Sequence, residues 1–204
     1  MRGLDLVTPD WDDTDRLLAV TDQALAAGAA LVQYRHKRAG PALRLEQAAA
    51  LLALCRRHGR PLDNNDHLEL CLGLDADGVH LGGTDAAIGP ARAVLGPGKI
   101  IGASCYGELA LAEAAERDGA SYVAFGGFYP SPVKQYAFVT PPELIEAWRN
   151  RLALPMVVIG GMTPANAAPL VARGASMVAA ITSVYAAPHP AAAVREFRAL
   201  FGPA

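Results

Sequence analysis

The sequence predicts an α/β protein, a single compact TIM (β/α)8 barrel over residues 1–204. Three observations lead there. About eight apolar, β-branched runs alternate with amphipathic stretches, which is the element count of such a barrel. A small pattern recurs at Gly28, Gly119 and Gly174: a helix-like stretch passes through Gly into a new strand. Gly just past a helix end takes the left-handed position, so the repeat marks short connections from helix to strand. Finally, 204 residues at 52% hydrophobic and 19% charged suit one sizeable core. A doubly wound open sheet would more often use fewer strands.

Taken in order, strand one is read at 4–8, where LDLVT follows the start of the chain almost at once, and a helix at 15–27 runs into Gly28. Strand two follows at 31–34. The next helix, 42–58, places Leu45, Ala48, Leu52 and Cys55 at helical spacing and leaves Arg44, Arg56 and Arg57 for solvent. Strand three is read at 61–64, and a looser copy of the Gly pattern around Gly78 introduces strand four at 78–81. Strand five at 100–103 leads to a helix at 108–118, and Gly119 opens strand six at 122–125. A helix at 142–151 precedes strand seven at 156–159. Thr163-Pro164 then starts a helix, Gly174 opens strand eight at 177–181, and a helix at 191–201 closes the series.

The bulk properties narrow the function. A formal charge of −2 gives no footprint for nucleic acid or an anionic membrane, so an anionic ligand needs a local cluster of cations. No apolar run has the length of a membrane span and no signal peptide is read, so small-molecule chemistry in the cytoplasm is expected. Cys55, Cys71 and Cys105 lack metal-ligand spacing and read as buried, reduced thiols. A homo-oligomer is neither required nor excluded.

In a barrel the chemistry sits at the C-terminal ends of the strands. Gln33, Arg35 and Lys37 alternate there on strand two, so all three share one side at the mouth, where phosphate oxygens could meet the cations. His36 alternates away from them. Asp66 and Asp85 end neighbouring runs and could converge on a hard cation such as Mg2+, although each taken singly also fits a helix N-cap. Lys134 projects from a loop rich in Gly and Pro. Gly160-Gly161 after strand seven and Ile181-Thr182-Ser183 after strand eight stand where barrels often bind phosphate. His80, inside a strand, reads as an interior hydrogen-bonding group. Walker-type, Gly-x-Gly-x-x-Gly and serine-nucleophile signatures are missing.

With these residues assembled, the chain resembles the thiamine phosphate synthase family along nearly its whole length. The carrying segments are VQYRHK at 32–37, Asn65-Asp66, DGVHLG at 77–82 with Asp85, IGASC at 101–105, residues 125–134, and IGGM at 159–162. The resemblance implies a transferase that joins a pyrimidine diphosphate to a thiazole phosphate or its carboxylate, releasing pyrophosphate. It further implies that Gln33, Tyr34, Arg35, His36, Lys37, Asn65, Ser104 and Lys134 hold the pyrimidine diphosphate. Asp66 and Asp85 would bind Mg2+, and Ser131, Gly161, Ile181 and Thr182 the thiazole phosphate. Arg35, Lys37 and Lys134 would serve the leaving group.

Some positions depart from the family pattern. Val133 replaces a hydroxyl residue, Gly83 replaces a longer polar one, Asp63 and Asn64 stand where apolar strand residues are usual, and Asp5 replaces an aromatic or apolar one. Two alternatives remain open at this point. A thiazole tautomerase would carry a histidine after strand six, where this chain has Gly126-Gly127-Phe128. A non-catalytic phosphate-ligand binder would keep the fold alone.

Overall fold

The computed structural model describes residues 1–82, 88–133 and 137–202. Eight parallel strands close into a barrel in sequence order: β1 (Gly3–Val7), β2 (Leu31–Tyr34), β3 (Leu62–Asn65), β4 (Gly78–Leu81), β5 (Ile100–Tyr106), β6 (Tyr122–Gly126), β7 (Met156–Ile159) and β8 (Met177–Ala180). Parallel neighbours need a crossover, and helices supply it. These are α1 (Thr14–Ala26), α2 (Pro41–Arg57), α3 (Leu68–Leu74), α4 (Ile88–Leu95), α5 (Leu109–Arg117), α6 (Leu144–Arg149) and α7 (Pro164–Arg173). A short α8 (Thr182–Tyr185) and α9 (Pro190–Ala199) follow β8. No helix among the described residues is long and apolar enough to cross a membrane.

The two-residue period of the strands sorts their side chains into two cores. Leu4, Leu6, Val32, Tyr34, Leu62, Val79, Val123, Phe125, Val158 and Val178 point outward and pack with the helices. Val7, Leu31, Tyr122, Ala124, Val157, Met177 and Ala179 fill the barrel itself. The inner set is the smaller, and Ala124 and Ala179 within it leave room for a cavity.

The predicted elements are present with ends shifted by a few residues, the largest change being β5, which runs on to Tyr106 with a register shift between Ser104 and Tyr106. Strand eight stops at Ala180 rather than Ile181, because Ile181 (φ −118°, ψ −81°) turns the chain into α8. The expected inner face of α2 needs correction, for Leu45 is 52% exposed. The buried arc instead carries Gln47, Ala48, Leu51, Leu52, Leu54 and Cys55. Gln47 belongs there because its amide is satisfied: Nε2 donates to Trp11 O at 2.9 Å and Oε1 accepts from the Tyr34 hydroxyl at 3.1 Å.

Candidate active site

A cavity of about 520 Å³ opens at the C-terminal ends of the strands and reaches down to Asp5 and Val157 in the barrel. It gathers expected residues from opposite sides. Gln33, Arg35, Asn65 and Ser104 line it on β2, β3 and β5; Ser131, Gly161, Ile181 and Thr182 line it on the loops after β6, β7 and β8. Ser183 also lines it. Its hydroxyl oxygen is buried and meets no partner among the described residues.

The β2 end is pinned by Thr8, whose hydroxyl donates to Arg35 O at 3.0 Å and accepts from Arg35 N–H at 2.8 Å. Arg35 Nη1 reaches Asp10 Oδ1 at 3.5 Å, and the same carboxylate accepts from the Lys37 backbone N–H at 3.0 Å. Asp10, which sequence reasoning passed over, therefore shapes the loop that carries both cations. The Lys37 ammonium bonds Asp66 Oδ2, and Asn65 Nδ2 donates to that oxygen at 2.6 Å. Asp66 sits at φ 65°, held there by its own N–H on His80 O at 2.8 Å. Burial alone would raise the Asp66 pKa, but the Lys37 bond and charge, with His80 and Asn65, bring it below the ordinary carboxylate value. Its oxygens are thus anionic and suited to a hard cation. Asp85 and Lys134 lie outside the described residues.

Two residues of the implied substrate-binding set lie away from the cavity, His36 as its alternation predicts. The Tyr34 side chain points out of the barrel to Gln47, as the strand period requires, and does not line the cavity. The His36 ring is fully enclosed within its loop, where Nε2 pairs with Asp12 Oδ1 at 2.9 Å and Nδ1 accepts from Ala39 N–H at 3.1 Å. It holds the loop's shape. Neither side chain reaches the cavity lining.

Below the mouth, Ser104 Oγ is 2.9 Å from His80 Nε2, His80 Nδ1 is 2.7 Å from the Tyr122 hydroxyl, and that hydroxyl donates to Asp63 Oδ2 at 2.7 Å. His80 is thus the interior hydrogen-bonding group expected of it. Tyr122 was missed, although a signal existed: Gly102 inside strand β5 announces a close approach. On the far wall the loops after β6 and β7 touch. Gly161 has φ 58°, and a Cβ on it would fall 2.1 Å from Pro130 O. Asn166 Nδ2 holds Gly161 O at 2.9 Å, and the Tyr129 hydroxyl donates to Asn166 O at 3.0 Å.

The sequence model of a family described as "Thiamine monophosphate synthase" matches residues 4–184. The chain belongs to that family. A thiamine-phosphate synthase of Janthinobacterium sp. (strain Marseille) is 59% identical over 201 residues, covering 98% of this chain and 97% of the relative. One from Aromatoleum aromaticum is 48% identical, again covering 98% and 97%. Among solved structures, a thiamine phosphate pyrophosphorylase from Pyrococcus furiosus superposes with a TM-score of 0.86 at 30% identity, covering 98% and 95% of the two chains. A 3-hexulose-6-phosphate synthase shares the barrel, with a TM-score of 0.73 at 18% identity, and speaks for the fold alone.

In this member of the thiamine monophosphate synthase family the cavity lining combines polar residues near the mouth with apolar ones such as Val7, Val157 and Ile159.

Proposed function

We propose that this single-domain member of the thiamine monophosphate synthase family is a cytoplasmic transferase that joins a hydroxymethylpyrimidine diphosphate to a thiazole phosphate. The carrying observation is one cavity lined by Gln33, Arg35, Asn65 and Ser104 on one side and by Ser131, Gly161, Thr182 and Ser183 on the other. In the reaction the C–O bond between the pyrimidine methylene and the diphosphate breaks, its electron pair leaving on pyrophosphate. The thiazole ring nitrogen supplies the pair for the new C–N bond. No protein nucleophile is required, so the chain's work is to hold the two reactants in line and to neutralise the leaving group.

Arg35 and Lys37 face the diphosphate side, with Lys134 as the expected third cation. Arg35 is paired with Asp10 and Lys37 with Asp66, so each pair cancels in formal charge. A diphosphate therefore calls for further positive charge, and Mg2+ fits the hard oxygen of Asp66, since it is usually held by one or two carboxylates and phosphate oxygens. Asp66, with Asp85 as its expected partner, would hold the ion, which when bound supplies charge neutralisation to the departing pyrophosphate. Gln33 and Ser104 orient the pyrimidine half. Gly161 and the residues that follow β8 receive the thiazole phosphate.

The test is a coupled pyrophosphate assay with both substrates, with and without EDTA. Release that depends on both substrates and on Mg2+ supports the reading. Isomerisation of the thiazole compound without the pyrimidine partner would instead favour a tautomerase, and tight binding without turnover a non-catalytic barrel. Full-length likeness to synthases, and Gly126-Gly127-Phe128 where a tautomerase would carry histidine, argue for the synthase.

A further inference from the structure

The barrel floor holds buried carboxyl oxygens that meet no partner among the described residues. A phenol has one proton, and Tyr122 gives its proton to Asp63 Oδ2 at 2.7 Å, so its oxygen accepts from His80 Nδ1–H. Nothing among the described residues donates to the other Asp63 oxygen, Oδ1, or to either oxygen of Asp5. Both carboxyls are buried, and Asp5, at 1% exposure, lines the cavity. The residues that share this depth, Ala124, Val157 and Ala179, have no side-chain donor to offer.

Position narrows the ligand. In the sheet register Val7 stands beside Gln33 and Asp5 beside Leu31, so Asp5 is one inward residue deeper than Gln33. It lies beneath the β2–β3 mouth, where Arg35, Lys37 and Asp66 would hold a diphosphate. A group attached to that diphosphate and reaching down the barrel would pass Gln33 and Ser104 on its polar side and Val7 and Val157 on its apolar side and arrive at Asp5. To satisfy those unpartnered carboxyl groups it must be flat and set an N–H donor beside an acceptor, as an amino group next to a ring nitrogen does. Burial, and then the charge of Asp63, push the Asp5 pKa well above its ordinary value, so the pair favours a neutral aromatic amine.

We propose that Asp5 is a specificity-determining residue, which with Asp63 behind it receives the exocyclic amino group of the pyrimidine ring whose diphosphate is bound at the mouth. The proposal rests on the transferase reading above. It concerns one half of the reaction only, because the thiazole phosphate has no N–H donor.

The experiment is calorimetric titration of the full-length, Mg2+-supplied protein with three probes: the aminopyrimidine diphosphate, its analogue with hydrogen in place of the amino group, and inorganic pyrophosphate. The wild type is expected to bind the amino compound about tenfold or more tightly than the des-amino analogue, the gain of a hydrogen bond to an acidic group. Asp5→Leu is expected to erase that difference while leaving pyrophosphate affinity and the KM for thiazole phosphate unchanged; Asp5→Asn, which keeps one acceptor, should retain part of it. Equal wild-type affinity for the two pyrimidines overturns the proposal, and this comparison needs no variant to fold. So does discrimination that survives in Asp5→Leu, or a parallel loss of pyrophosphate binding, which would place the damage at the mouth. A wild type that turns over both substrates without amino discrimination defeats this proposal alone. A wild type that binds neither pyrimidine defeats the transferase reading with it.

Discussion

The Tyr122 ring occupies the space that any side chain at residue 102 would need: a Cβ built on Gly102 falls 2.2 Å from Tyr122 Cζ and 2.5 Å from His80 Nδ1. The missing side chain is what lets the ring cross to Asp63. Gly102→Ala is therefore expected to force Tyr122 and His80 aside and to cost about 1–3 kcal/mol, as overpacked cores do. Equilibrium unfolding in urea reads this directly, and a variant with wild-type stability would show that β5 yields at no cost.

Asp66 can be probed without disturbing its backbone. The residue is left-handed at φ 65°, and Asn tolerates that conformation better than Ala, so Asp66→Asn removes the charge and keeps the turn. Turnover is expected to fall by about two orders of magnitude, the scale of losing one preorganised electrostatic contact. The melting temperature should move little, since a half-exposed ion pair contributes about 0–1 kcal/mol. Unchanged turnover would remove Asp66 from the site.

Tyr34 and His36 show why a motif can be legible while its roles are not. The VQYRHK run correctly marked the β2 mouth, yet period two turns every second side chain away from it, and Tyr34 bonds Gln47 on the outside. Tyr34→Phe is expected to cost about 1 kcal/mol of stability, one neutral hydrogen bond, with KM for both substrates unchanged. A rise in KM for the pyrimidine diphosphate would return Tyr34 to the site.

The acid pair in the floor gives the fold an unusual pH response. Burial holds the pKa of both Asp5 and Asp63 above the carboxyl value they would have in the unfolded chain. The folded state then keeps protons that the unfolded state releases, so stability is fully present below the unfolded pKa and falls as pH rises toward the raised values. Melting temperature measured from pH 4 to pH 8 should decline for the wild type, decline less steeply for Asp5→Leu, which keeps the buried Asp63, and flatten when Asp63→Leu is added. A slope that survives the double substitution would assign the effect elsewhere.

Cys55, Cys71 and Cys105 are all buried, and burial pushes their thiols up to about 12, 11 and 12. Since the thiolate is the reactive form, a thiol reagent should label none of them in the native protein and all three in denaturant. Rapid native labelling would point to local opening of the outer layer.

Barrel architecture could be read from the sequence because it depends on periodic patterning and on helix-ending glycines, both local properties. Gly28, Gly119 and Gly174 take φ values of 106°, 91° and 120°, as that pattern requires. Arg35, Asn65, Ser104 and Gly161 could be read because strand ends fix their place. What escaped depends on contacts between residues far apart in the chain. Asp10 meets Arg35 25 residues away, and Tyr122 meets Asp63 59 residues away. No local period reports such partners. Leu45 was misjudged for a related reason: α2 turns toward Gln47, whose partners Trp11 and Tyr34 belong to other elements.

The contact between Gly161 and Pro130 also governs how this enzyme family member can change over time. With main chain against main chain at that crossing, the width of the far wall is set by backbone and not by any replaceable side chain. Substitution at 161 offers no graded adjustment, only disruption. Variation in the cavity's width is left to positions whose side chains line it, such as Ala124, Ala179 and Val133. The barrel is adjustable in depth and fixed at that part of its rim.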